Sequence, residues 1–237
     1  MTLLKYLPFL STLITFAFAV AVFNRYKYRR GAHLLLWGSG LVLYGAGTFA
    51  EAYLSLGWSD AMLRVWYLTG AMLTAAWLGQ GTVYLLIRKP GVAHALTAGL
   101  LIASIISIVG VFAAHIDGST FSPHIAVSTQ YKALMERSGL TIALTILLNI
   151  YGTVWLIGGA VWSAYLFARK QVLPHRVIGN ILVAVGALMP ASAGTLIRIG
   201  LGDWLYVSEL LGAAIMFAGF VAATSPQAIP APQPATA

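Results

Sequence analysis

The chain has 237 residues, 59% hydrophobic and 8% charged, with no cysteine and a formal net charge of +8. A soluble domain carries about 25% charged residues, so an ordinary soluble fold is excluded. The lack of Cys removes disulfides, thiolate metal sites and iron–sulfur clusters.

The apolar residues fall in seven blocks, at 3–23, 33–56, 62–87, 95–115, 140–167, 177–197 and 204–224. Each matches or exceeds the ~20 residues that cross a 30 Å hydrocarbon layer at 1.5 Å per residue. Blocks this long rule out the ~10-residue strands of a barrel. The expected fold is an all-α, seven-transmembrane-helix bundle over residues 1–224. Residues 225–237, SPQAIPAPQPATA, carry no charge and read as a disordered cytoplasmic tail.

The first block, with Lys5 near its start and Ala17-Phe18-Ala19 further along it, also fits a signal peptide. Cleavage would leave NRYKYRR on the outer face, against the charge rule, so the block is read as a span. Arg25, Lys27, Arg29 and Arg30 follow it, Arg88 and Lys89 follow the third block, and Arg169, Lys170 and Arg176 follow the fifth. The opposite side holds Lys5, Arg64, Lys132, Arg137 and Arg198 with every acid of the chain. Positive residues mark the cytoplasmic side, which predicts an outer N-terminus, an inner C-terminus and an inner (plasma) membrane location. The same pattern points the cations to anionic headgroups or, if the protein signals, to a protein partner at the cytoplasmic face, and not to nucleic acid.

Between the fourth and fifth spans, residues 116–139 form the one long loop. STQYKALMERS within it reads as a short surface helix, and Asp117-Gly118 and Ser122-Pro123 as turns. The second and third blocks align loosely with the sixth and seventh, His33 opposite His175 and Tyr67 near Glu209. This implies three spans, a linking fourth and three more in parallel orientation. Two similar hydrophobic hairpins would give the same likeness.

Small and polar residues at helical spacing mark the faces that meet other helices. Trp37, Tyr44 and Glu51 recur at seven-residue intervals in the second span, and Tyr67 and Trp77 lie on one stripe of the third with Gln80 beside it. Asn149 lies in the fifth span, and Asn180 begins a stripe in the sixth that ends at Arg198. These residues are expected to line the bundle. The glycines among them serve close packing, and WGSGLVLYG has no preceding strand that would make it a nucleotide loop.

Charges within spans are costly and face the bundle interior or water. Glu51, Arg64, Arg198 and Glu209 fall at one depth near the outer ends of four spans, with Asp203 beside them. They are expected to form one polar layer, either as ion pairs that tie helix ends together or as a pocket for a small polar or zwitterionic ligand.

Other chemistries lack their residues. The seventh span has no Lys, and every Lys lies at a chain end or in a loop, so a retinal Schiff base has no attachment point; His33, His94, His115, His124 and His175 lie at or beyond span ends, not at haem depth. No HExxH or comparable zinc spacing occurs, and no serine or threonine has a base at its depth. The expectation is a protein that is not an enzyme and has no metal and no cofactor.

RYKYRR, the Gly-Ala after it, a Trp-containing span that ends near a Glu and the aromatic-rich VWYLTGAMLTAAWL together cover about a quarter of the chain. This stretch resembles the seven-helix N-terminal sensory module of some bacterial histidine kinases. The resemblance implies a sensor-like, ligand-binding role, here without the signalling domain that follows in those proteins. The three-plus-one-plus-three plan is similar instead to the small sugar transporters called SWEETs, although Pro8 and Pro190 do not occupy equivalent spans. A structural subunit of a membrane complex would account for the packing stripes with little chemistry.

Overall fold

In the computed structural model, residues 6–170, 174–198 and 204–224 are described, the side chains of 174 and 193–198 excepted. They form eight helical segments. These are α1 (Leu7–Arg29), α2 (Ala32–Leu54), α3 (60–86), α4 (Val92–Ala113), the short α5 (Val127–Leu134), α6 (Gly139–Arg169), α7 (Pro174–Arg198) and α8 (Trp204–Thr224). No strand occurs among the described residues; one isolated bridge, Ile116 with Met135, closes the loop that carries α5.

The helix ends follow local chemistry. Pro8 sits in the first turn of α1, where its missing N–H costs nothing. The helix then runs to Arg29, nearly two turns past residue 23, the expected end of its apolar block, because no breaker precedes Gly31. Arg30 closes it in the left-handed region, its N–H donating to the Tyr26 carbonyl. Much of the expected 24–31 loop is therefore helix, and Arg25, Lys27 and Arg29 sit on it. Ser59 caps α3 by accepting the Met62 N–H, and Ser138 caps α6 by accepting that of Thr141. Gly91, at φ 81°, makes the turn into α4, which a side chain would strain.

Among the described residues, Leu7–Arg29, Val92–Ala113, Gly139–Arg169, His175–Ser192 and Trp204–Thr224 are long and apolar enough to cross a membrane. The remaining long segments, α2 and α3, carry Gly, Trp, Tyr, Thr, Glu51 and Gln80 where the others carry aliphatic residues. Their position explains this. They are the best-covered helices, with Leu41, Ala50 and Leu54 of α2 and Leu63, Met72 and Val83 of α3 at most 1% exposed. The aliphatic helices turn Leu13 and Val20 (α1), Ile102, Ile105 and Val109 (α4) and Leu147 and Ile150 (α6) outward. A belt of this kind suits lipid, whereas helices that touch protein on most sides need small and polar residues.

The long helices pack in chain order around a ring, α1–α2–α3–α6–α7–α8 and back to α1, and α4 lies outside it against α3 and α6. Small residues set the contacts. A Cβ on Gly47 would lie 2.7 Å from the Gly70 Cα, and one on Gly152 would lie 2.2 Å from the Ala75 carbonyl carbon. A Cβ on Gly179, Gly186, Gly212 or Gly219 would meet backbone atoms across the α7–α8 seam at 2.5–2.8 Å. The α7 contact with α8 thus runs along Gly179, Val183, Gly186 and Pro190.

Candidate functional site

Both helices that cross the middle of the ring on the α3–α6 side depart from regular α geometry. α3 is π-helical over Trp66–Leu73 and α6 over Val154–Gly158. A π-turn shifts the i→i−4 ladder and frees carbonyls. The Ala71 carbonyl accepts the Asn149 side-chain N–H at 2.7 Å, and that of Thr69 accepts the Thr74 hydroxyl at 2.7 Å. The irregular backbone is thereby satisfied inside the bundle, and both π-turns border the space between the helices.

That space is a cavity of about 520 Å³ bounded by α2, α3, α6, α7 and α8, with α5 across one end. Its wall is mainly apolar or aromatic, with Trp66, Leu78, Leu156, Pro190, Leu205 and Met216. Asn149, Thr74 and Thr145 add polar groups, and Ser128, Tyr131 and Lys132 of α5 border the end away from the basic cluster of the chain.

Glu51, in the last turn of α2, and Glu209, in the second turn of α8, meet at this cavity with their carboxyls in hydrogen-bond contact. Glu51 is 2% exposed. One oxygen of each, Glu51 Oε1 and Glu209 Oε2, is buried without a hydrogen-bond partner. Tyr44, one helical face along from Glu51, donates its hydroxyl to the Glu209 backbone carbonyl at 3.0 Å and so ties α2 to α8.

The expected four-residue layer is thus only partly assembled. Glu51 and Glu209 come together, but Arg64 does not join them. Its guanidinium donates to the carbonyls of Val111, Phe112 and Ala114 and lies over the Phe112 ring. The open carbonyls at the end of α4 are the negative pole of a helix, and an arginine one segment away satisfies them. Arg198 ends α7, with its side chain outside the described residues, as are Asp203 and the 225–237 tail.

The expected bundle-lining residues also divide. Tyr44 and Asn149 line the cavity. Tyr67, 1% exposed, stands behind it, its hydroxyl 3.0 Å from that of Thr145. Trp77 faces α4 and donates to Ser104, and Gln80 bridges α3 to α4 and α6. Trp37 lies near the basic end, over Gly81 and edge-on to His33. Asn180 donates to the Arg176 carbonyl of its own helix and does not reach the cavity.

Sequence reasoning missed the cover over the cavity. α5 holds Tyr131 against the rings of Trp66 and Tyr67, and Arg137 lies 4.9 Å over the Tyr131 ring. Val127, Leu134 and Met135 anchor the segment in the core. The one signal for this was STQYKALMERS, an amphipathic stretch in a loop. At the opposite end, Arg176 lies near Arg25 and over the Phe167 ring, so the basic residues do gather at one end of the bundle.

No protein-family model matches the sequence, and no curated protein matches it.

Proposed function

We propose that the chain is a seven-span integral membrane protein, amino terminus outside and carboxyl terminus inside, that binds a small molecule in the cavity between α2, α3, α6, α7 and α8. One observation carries this reading: two carboxyls in contact with each other, with no other side-chain partner among the described residues, border a cavity large enough for a metabolite-sized ligand. Such volumes, about 300–1,000 Å³, with apolar walls and a few placed polar groups, typify ligand sites. An unsatisfied carboxyl at this depth costs stability and is retained for a function.

The role that fits is non-enzymatic and sensor-like. The cavity wall offers carboxyls, hydroxyls and amides but, among the described residues, no nucleophile held by a base. Binding beneath α5 would be felt by the aromatic cluster of Trp66, Tyr67 and Tyr131 that seats it. A protein partner at the basic end would read it out. The resemblance to the sensory module of histidine kinases supports the same role, and the plasma membrane is the location it implies.

A second reading is a small-solute transporter built from parallel three-helix repeats. The ring α1–α2–α3–α6–α7–α8 with α4 outside favours it, because a linking helix that stands apart leaves two triplets facing one another.

Gentle purification followed by mass spectrometry of retained small molecules tests the shared core of both readings. A stoichiometric molecule, lost on Ala191→Phe at the cavity wall, is expected. A protein that retains nothing, and whose melting no small molecule raises, would overturn the site. Uptake into proteoliposomes then assigns the transporter, and binding without uptake assigns the sensor.

A further inference from the structure

The cavity's charges specify its ligand more narrowly than its size does. We propose that it takes an organic monocation, an ammonium headgroup seated between Glu51 and Glu209 with an apolar or aromatic body along the wall toward Trp66 and Met216. This rests on the reading of the cavity as a ligand site and adds its chemical class.

The first support is the pair itself. Two carboxylates can only accept hydrogen bonds, so carboxyls in mutual hydrogen-bond contact hold at least one proton between them. Like charges this close do not both ionise. The pair then carries at most a single negative charge, and an oxygen of each residue is presented at the cavity wall. A primary ammonium has three donors on a compact charge, which matches both oxygens at once. A divalent ion would be left with excess charge, and an anion would add a like charge to a buried acid pair.

The second support is the disposition of the chain's own cations. Arg64 is committed to the α4 carbonyls and Arg137 to the Tyr131 face. Among the described residues, Lys132 is the cation on the cavity border, and it lies at the α5 end. No ion pair to either glutamate occurs among the described residues.

The third support is the wall. Trp66 adds an aromatic ring, and Leu78, Leu156 and Met216 offer apolar surface to the ligand's body.

The test measures equilibrium binding of three probes of one shape to the purified full chain in detergent: 2-phenylethylamine, 2-phenylethanol and 3-phenylpropanoate. The amine should bind at least about ten-fold tighter than the alcohol, since a charged hydrogen bond is worth about 1.5–3 kcal/mol. The propanoate should not compete. Glu51→Gln and Glu209→Gln, which keep shape and polarity, should each erase that preference, and Ala191→Phe should remove amine binding altogether. Amine and alcohol binding equally, both blocked by Ala191→Phe, would overturn the ammonium class and leave the cavity as a ligand site. Amine binding untouched by Ala191→Phe and by both glutamine variants would overturn the site itself. Preference for the propanoate, or no amine binding at millimolar concentration, would also overturn the ammonium proposal.

Discussion

Two buried polar clusters occupy the same bundle and are built in opposite ways. Around Gln80 the polar atoms have partners. Nε2 donates to the Ala93 carbonyl and to Thr97 Oγ1, Oε1 accepts the Tyr151 hydroxyl, and Thr97 also meets Tyr84. Around Glu51 and Glu209 an oxygen on each side has none. Where no water competes, a closed network holds helices together, whereas an open one costs free energy. The Gln80 cluster is accounted for by the contact it makes between α3, α4 and α6. The glutamate pair joins α2 to α8 but has no donor beside it among the described residues, and it borders the cavity. The difference separates what the bundle needs to stand from what it keeps for a ligand.

Substitutions can break or sharpen that contrast. The largest effect is expected at Gly152→Leu, because even a Cβ there would meet the Ala75 backbone at 2.2 Å. Forcing α3 from α6 disturbs both clusters at once, and the loss should reach about 3 kcal/mol, the upper end for overpacking. Thermal unfolding in detergent reads it, and a melting temperature like that of the parent would show that the seam is not close-packed.

Gln80→Leu comes next. It strands the Tyr151 hydroxyl, and a buried group left unpaired costs about 1–3 kcal/mol. Melting should fall while 2-phenylethylamine affinity stays within a few-fold of the parent. Loss of binding with unchanged melting would reverse the roles assigned to the two clusters.

Arg64→Met should cost less, about 1 kcal/mol, since it removes charge-assisted bonds to a helix end that water partly reaches. Amide exchange over Ala113–Ile116 should quicken, and no change there would refute the capping role.

The smallest change in stability is expected at Glu51→Gln, within about 0.5 kcal/mol of zero, because the amide can still donate to Glu209 and no cation is stranded. A loss of several kcal/mol, restored by a second change at Arg64, would instead reinstate an ion pair between those residues.

Much of the fold is legible in the sequence. The apolar blocks predict the long helices to within a few residues, since a span's length is set by lipid and its ends by Ser59, Ser138, Gly31 and Gly91. The meeting of Glu51 with Glu209 is legible too, since both fall at one depth on helices whose inner faces the small and aromatic spacing marks. Arg64 is the instructive failure. Depth placed it with the acids, but its partners are backbone carbonyls at the end of α4, which no side-chain pattern advertises. Trp37, Trp77 and Asn180 show a similar limit, because a three–four spacing identifies a buried face without saying which neighbour covers it. The π-turns at Trp66–Leu73 and Val154–Gly158 leave no mark in the sequence at all, since they answer to tertiary packing, and residues of both line the cavity.

The central claim is that Glu51 and Glu209 share at least one proton at a cavity a ligand can enter, and carbodiimide chemistry addresses it directly. N,N′-dicyclohexylcarbodiimide adds to a protonated carboxyl in apolar surroundings, and peptide mass spectrometry locates the adduct. The account predicts an adduct at Glu51 or Glu209, suppressed by 2-phenylethylamine and by Ala191→Phe, while Asp117 and Glu136 in the loop stay unmodified. Adducts at neither glutamate, or adducts that neither the amine nor Ala191→Phe diminishes, would contradict it.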